Sequence, residues 1–240
     1  MYVKRRPLTL TEKSTVIHGE KLDVVAVYAD LRGFSQWSMA AGAPHITKVI
    51  EVVYTRVIQL AFFYRHAFHK FLGDGFLLLW EVADHGSRAE ALHWALEASC
   101  EIHKRYWFMT KRIGFPTPLG FGIGISCGEV IKIDPETFVP EFNEPDFVGY
   151  AMNSGARLQT LAGPYGTVID HAAVLEAGHG PERVLRSGNE TLRLCLLEPN
   201  DKARAMAGKL PGLQSADMRG FRYVVWPYAK DALWRVDGMP

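Results

Sequence analysis

The order of apolar runs and turn signals predicts an α+β protein with a ferredoxin-like, palm-type βαββαβ core and additional C-terminal strands. Three observations carry that expectation. Residues 23–31 form a Val-rich apolar run that breaks at Arg32-Gly33, and residues 68–80 hold two short apolar runs around Gly73-Asp74-Gly75. Between and after them lie two long stretches with apolar residues at helical spacing.

Each element has a local reason. The run at 23–31 suits a buried strand, and residues 46–65 read as the first helix. The Gly-Asp-Gly in 68–80 is a hairpin signal, because glycine tolerates the positive φ of a tight turn and Asp accepts it better than most residues. Residues 87–112 read as a second long helix, with Ser87 as N-cap and Glu90 in capping-box position. Residues 119–133 read as a strand in which Gly120, Gly122, Gly124 and Gly128 are close-packing positions; no Gly-Lys-Ser/Thr follows and no helix opens there, so they are not a phosphate loop. A short strand at 146–152 runs into a helix at 153–162, and further strands are expected at 167–170, 190–197 and 221–228. This order fits a twisted sheet with helices on one face.

No repeat, low-complexity tract or linker divides the 240 residues, so the expectation is an N-terminal arm at 1–22 and one domain at 23–240. Hydrophobic residues make up 48% and charged residues 22%, and 27 basic side chains nearly balance 26 acidic ones. That balance gives no global field for nucleic acid, and Lys4-Arg5-Arg6 reads as a solvated tail. The longest apolar stretch, 49–64, contains Glu51 and Arg56 and is too short to span a bilayer; with no signal peptide visible, a cytoplasmic protein without stable membrane insertion is expected. Cys100, Cys127 and Cys195 are odd in number and lack CxxC spacing, so they read as reduced core residues.

Two aspartates stand where a strand gives way to glycine, Asp30 at the end of the first strand and Asp74 at the hairpin tip. In the ferredoxin-like order these strands are neighbours, so the two carboxylates would converge as hard oxygen donors suited to Mg²⁺ or Mn²⁺. Turn chemistry alone leaves another reading, with Asp74 a turn former and Asp30 a helix cap. His66 and His69 flank the hairpin without an HExxH or a His/Cys cluster, which argues against metal ligation there.

Four segments together resemble the signature segments of class III adenylyl and guanylyl cyclases, in that family's order. They are Val27-Tyr-Ala-Asp-Leu-Arg-Gly-Phe-Ser35, Lys70-Phe-Leu-Gly-Asp-Gly-Phe76, Gly122-Ile-Gly-Ile-Ser-Cys-Gly-Glu-Val130 and Asp146-Phe-Val-Gly-Tyr-Ala-Met-Asn-Ser-Gly-Ala-Arg-Leu158. The resemblance covers roughly 23–221 and implies conversion of a nucleoside triphosphate to its 3′,5′-cyclic monophosphate and pyrophosphate, with two divalent metal ions (Mg²⁺ or Mn²⁺) per site. It implies that Asp30 and Asp74 hold the metals with the Leu31 carbonyl, that Asn153 orients the ribose, that Arg157 serves the reacting phosphate, and that Lys70 and Asp146 read the base. In that family the metal aspartates come from one subunit and the other residues from its partner, so a chain carrying all six implies a homodimer with two shared sites. A degenerate cyclase-homology module that only binds or dimerises would have lost one of these residues; here each position is filled.

The base stays open between two readings. Lys70 as donor and Asp146 as acceptor match adenine N1 and its 6-amino group, match cytosine equally, and do not exclude uracil. The chain is also similar in build to the stand-alone pyrimidine cyclases of bacterial anti-phage (Pycsar) systems. That similarity implies a uridylate or cytidylate cyclase, UTP favoured, whose product signals to a separate effector protein. Phe34, Phe71, Phe147 and Tyr54 are expected to crowd the base and favour the smaller ring, with adenylate cyclase as the alternative.

Overall fold

The computed structural model describes residues 16–136, 144–170, 184–187, 190–196 and 222–225. Its strands are β1 (Val16–Arg32), β2 (Phe68–Leu72), β3 (Gly75–Glu81), β4 (Gly120–Glu136), β5 (Asp146–Val148), β6 (Gly166–Ile169), β7 (Val184–Ser187), β8 (Glu190–Leu196) and β9 (Arg222–Val225). Its helices are α1 (Phe34–Ala40), α2 (Ala43–Phe63), α3 (Arg88–Thr110) and α4 (Tyr150–Leu161). They form one sheet in the order β2-β3-β1-β4-β6-β9-β8-β7, with β5 paired to β4. The first four strands, with α2 and α3 as crossovers, are the ferredoxin-like core expected from the sequence, and the C-terminal strands extend it beyond β4.

The strand β1 organises the molecule. It pairs antiparallel with β3 from Val24↔Glu81 to Asp30↔Gly75 and with β4 from Val16↔Glu136 to Arg32↔Gly120. Val24, Val25, Ala26 and Val27 are all fully buried, which requires cover on both faces of the sheet. On one face Val25, Val27, Ala29 and Leu31 pack with α2 and α3; on the other Val24 and Ala26 pack with Leu77, Leu79, Phe147 and the α4 residues Ala151 and Met152. The expectation of helices on one face is therefore corrected. α4 lies against β1 and β4 from the opposite side, because a continuous apolar run, unlike an alternating one, has two faces to hide.

Two glycines admit α4. A Cβ on Gly124 would collide with the α4 backbone at Gly155 and Gln159, and one on Gly155 would press on Ser126 and Tyr28. The reading of the β4 glycines as close-packing positions holds for Gly120, Gly122 and Gly124 and not for Gly128, where a Cβ would meet only Ala151 at 3.7 Å.

Other boundaries shift for visible reasons. α2 begins earlier than predicted because Pro44 occupies its first turn, and its buried stripe is Val49, Val53, Val57, Leu60 and Ala61. Ser87 caps α3 as predicted, its hydroxyl accepting from the Glu90 amide at 3.2 Å. β5 ends at Val148 and Gly149 (φ 159°) turns the chain, so Met152 is helical and Asn153 sits inside α4 instead of opening it. β1 begins at Val16, so the last part of the predicted 1–22 arm is strand; residues 1–15, with the basic arm, lie outside the described residues. Cys100 is buried and Cys127 partly buried, and the Cys195 side chain lies outside the description. No helix among the described residues is long and apolar enough to cross a membrane.

His103 on α3 is fully buried, its Nε2 3.0 Å from the Thr167 hydroxyl of β6, and burial pushes its pKa down to about 3. The unfolded chain takes up this proton near pH 6.5 while the fold refuses it. Its contribution is thus intact above pH 6.5 and declines towards pH 3 by up to about 1.4 kcal/mol per pH unit. Urea unfolding at pH 7 and pH 5 should show a larger loss for the natural chain than for His103→Gln; equal losses would contradict this account.

Candidate active site

Cross-strand register places the two aspartates at one end of the central strands. Asp30 sits opposite Gly75 on β3 and Gly122 on β4, and Asp74 occupies the turn between β2 and β3 directly beside that pair. Burial raises the Asp30 pKa; Arg32 lowers it, the Asp74 charge raises it again, and a Gln159 side-chain hydrogen bond lowers it. The two carboxylates therefore act on each other, as a pair of hard donors for a divalent cation must. Leu31 buries its side chain in the α2–α3 layer, leaving its main chain as the only part that could serve a ligand.

A residue that the sequence reading passed over ties this corner together. Arg32 lies two residues beyond Asp30 and so on the same face of β1. Its Nη1 donates to Asp30 Oδ2 at 2.8 Å, its Nε to the Ala162 carbonyl at 2.9 Å, and its Nη2 to the Gln159 carbonyl. One planar fork thus joins the carboxylate to the C-terminal end of α4, and hydrogen bonds to a charged group contribute about 1.5–3 kcal/mol each when shielded. Gly122 leaves the room, since a Cβ there would strike the guanidinium. The Asp-Leu-Arg alternation was the available signal.

The second corner lies on the same face of the sheet. Lys70 on β2 pairs with Leu77, which pairs with Tyr28, and Leu77 belongs to the α4-side core. Lys70 Nζ stands 3.7 Å from Asp146 Oδ1, both side chains well exposed. A pair so open contributes at most about 1 kcal/mol, so neither group is committed to holding the fold together. Tyr28 faces the same place, its phenol pKa raised by burial and by Asp146. Phe68 and Phe147 pack beside the pair with ring centroids 4.8 Å apart.

The other predicted aromatics are not brought to this corner within the protomer. Phe34, Phe71 and Tyr54 pack against the α2–α3 core, across the sheet from Lys70. Tyr54 stacks on Phe71 at 3.6 Å, and its hydroxyl donates to the Gly73 carbonyl at 2.5 Å, which pins the turn bearing Asp74. Alternation along β2 separates Lys70 from Phe71, so adjacency in sequence placed them together wrongly.

Asn153 and Arg157 follow at i and i+4 on α4, on one side of the helix, Asn153 exposed and Arg157 partly so. Neither side chain makes a hydrogen bond or ion pair among the described residues. His66 Nε2 and His69 Nδ1 lie 2.9 Å apart and engage each other; among the described residues no group of three or more His, Cys, Asp or Glu could hold a metal. The donor set at Asp30 and Asp74, two carboxylates and main-chain oxygen, suits Mg²⁺ or Mn²⁺.

No protein-family profile matches the chain, and no curated protein matches its sequence. Solved structures do. The guanylyl cyclase Cya2 is 20% identical, with 88% of this chain and 96% of that chain covered and a TM-score of 0.64. The adenylyl cyclase CyaB from P. aeruginosa is 14% identical, with 87% and 96% covered and a TM-score of 0.63. The catalytic core of a rhodopsin-guanylyl cyclase with converted specificity, solved with ATPalphaS, is 14% identical, with 87% and 99% covered and a TM-score of 0.60. The chain therefore has the fold of class III cyclase catalytic domains.

The raised pKa of Asp30 has a consequence for stability. The fold binds that proton more tightly than the unfolded chain, so the contribution is full below the unfolded value of about 3.9 and is lost as pH rises through the folded one. In EDTA, Asp30→Asn should melt with the natural chain near pH 4 and above it at pH 8; a lower melting temperature at pH 8 would mean that the Arg32 ion pair outweighs the burial cost.

Proposed function

We propose that this chain is a nucleotidyl cyclase. The observation that carries the reading is the placement of Asp30 with Asp74, and of Lys70 with Asp146, on the α4 side of a sheet with the cyclase fold. α4 supplies Asn153 and Arg157.

In this reading Asp30, Asp74 and the Leu31 carbonyl hold two divalent ions, Mg²⁺ or Mn²⁺, which when bound lower the pKa of the 3′-hydroxyl and neutralise the triphosphate. The 3′-oxygen forms its bond to the α-phosphorus as the bond to the β-phosphate oxygen breaks, and pyrophosphate leaves. Negative charge grows on the oxygens around the α-phosphorus, where Arg157 offers permanently charged, directional donors worth roughly 10²–10³ in rate. Asn153 holds the ribose so that the 3′-oxygen faces the phosphorus. Lys70 donates to the base edge and Asp146 accepts from it.

The sites are shared across a homodimer, with the metal aspartates of one protomer facing the Lys70, Asp146, Asn153 and Arg157 of its partner. Exposed apolar residues beside Asp146 support this: Ile131 and Val148, a cross-strand pair, and Tyr150 are 40%, 47% and 51% exposed.

For the base we propose a pyrimidine, UTP ahead of CTP, with the product read by a separate effector in anti-phage defence. Phe68 and Phe147 beside the Lys70–Asp146 pair support a small ring. The second reading, an adenylate cyclase, is favoured by the donor and acceptor order of that pair and by the placement of Phe34, Phe71 and Tyr54 across the sheet.

Incubation with each of ATP, GTP, CTP and UTP plus Mn²⁺ should give cyclic UMP fastest; cyclic AMP with neither pyrimidine product would establish the second reading. Asp74→Asn should abolish turnover without dissolving the dimer. Asp30→Ala protomers mixed with Arg157→Ala protomers should regain activity, since one site in the heterodimer is complete. Inactive heterodimers, shown to form, would exclude the shared site.

A further inference from the structure

A second polar site lies on the far face of the molecule, in the helical layer opposite α4. Between α2 and α3 the surface opens into a groove of about 640 Å³ lined by Val52 and Arg56 of α2 and, from α3 and its C-terminal turn, Glu101, Lys104, Arg105, Phe108, Met109, Arg112 and Ile113. Four of these are cations and one is an anion. Glu101 is already engaged by both Lys104 (3.4 Å) and Arg105 (3.3 Å). Arg56 donates to the neutral Gln59, and no carboxylate pairs with Arg56 or Arg112 among the described residues. The lining thus carries a net charge of four minus one, +3, and its positive field favours a bound anion.

Arg105 and Phe108 stand three residues apart on α3 and so share a side of the helix, and Arg112 joins them from the turn that follows Lys111, so that two guanidinium groups and a ring line the groove. Phe108 is 43% exposed, an aromatic face left open inside a cationic groove. Met109, Ile113 and Val52 complete an apolar floor. Guanidinium forks suit phosphate oxygens, and several of them suit a chain of phosphates better than a single carboxylate. The ring supplies what a purely inorganic anion would leave unused, a surface for a base to stack on. The volume is that of an ordinary small-molecule site.

We propose that this groove binds a nucleoside polyphosphate, phosphates on Arg56, Arg105 and Arg112 and base on Phe108, at a site separate from the one at Asp30 and Lys70. It is carried by the α2–α3 layer alone and does not depend on the chain being a cyclase.

The test is amide hydrogen exchange on the full-length chain in EDTA, with ATP or inorganic tripolyphosphate as probe. ATP should protect the amides of residues 101–112, and tripolyphosphate should bind about tenfold more weakly, the worth of one stacked base. Phe108→Ala should remove that difference. Arg56→Glu with Arg112→Glu should abolish the protection, and the milder Arg56→Gln with Arg112→Gln, checked for an unchanged melting temperature, should weaken it. No protection in the natural chain, protection that survives the charge reversal, or equal binding of tripolyphosphate and ATP would each overturn the proposal.

Discussion

The burial of β1 from both sides is the constraint from which the rest of the arrangement follows. A central strand whose consecutive residues Val24 to Val27 are all inaccessible needs a layer above and a layer below. α2 and α3 supply one with an aliphatic core, while α4 must come so close on the other that β4 can offer it only glycine at 122 and 124. The same closeness sets Asp30 and Arg32, at the end of β1, within reach of the last turn of α4. Packing that hides Val24 and Ala26 therefore also decides which helix the carboxylate of Asp30 meets.

Much of this was legible in the residues. Strand and helix identities followed from apolar runs, the Ser87 cap and the Gly-Asp-Gly turn, because each is a local preference that tertiary contacts did not override. The two aspartates could be placed together because the ferredoxin-like order makes β1 and β3 neighbours. What escaped was information about faces. The unbroken apolar character of 23–31 fits a buried strand with two covering layers, whereas helices were expected on one face of the sheet only. Phe71 follows Lys70 in sequence and so points to the other side of the sheet, which removes it, and Tyr54 stacked upon it, from the Lys70–Asp146 corner of the protomer. α1 and β7 escaped because they are short and lack a periodic signal.

Tyr54 shows how an aromatic near a site can serve it from behind. The Asp74 turn protrudes beyond β2 and β3, with Gly73 at φ 74° giving the chain its reversal and no stiffness. The phenol hydroxyl on the Gly73 carbonyl and the stack on Phe71 restore that stiffness from the α2 side. The placement of the Asp74 turn thus rests in part on a side chain from the other side of the sheet.

Charge balance explains the arginine that stands beside two acidic residues. Burial, with the Asp74 charge added to it, raises the Asp30 pKa, and Arg32 opposes both. Arg32 does so while spending its other donors on two α4 carbonyls, so it cannot swing away to neutralise the whole site. In the proposed complex, two divalent ions offset a triphosphate of about four negative charges. The two aspartates are then offset by Arg32 beside them and Arg157 of the facing protomer. Lys70 and Asp146 cancel each other. A lysine in place of Arg32 would keep the sum but lose the geometry, because a point charge cannot hold one carboxylate and two carbonyls at fixed angles. The arginine therefore joins two demands in one side chain: it makes the corner electrostatically bearable before ligand arrives, and it fastens α4 to the strand that carries Asp30.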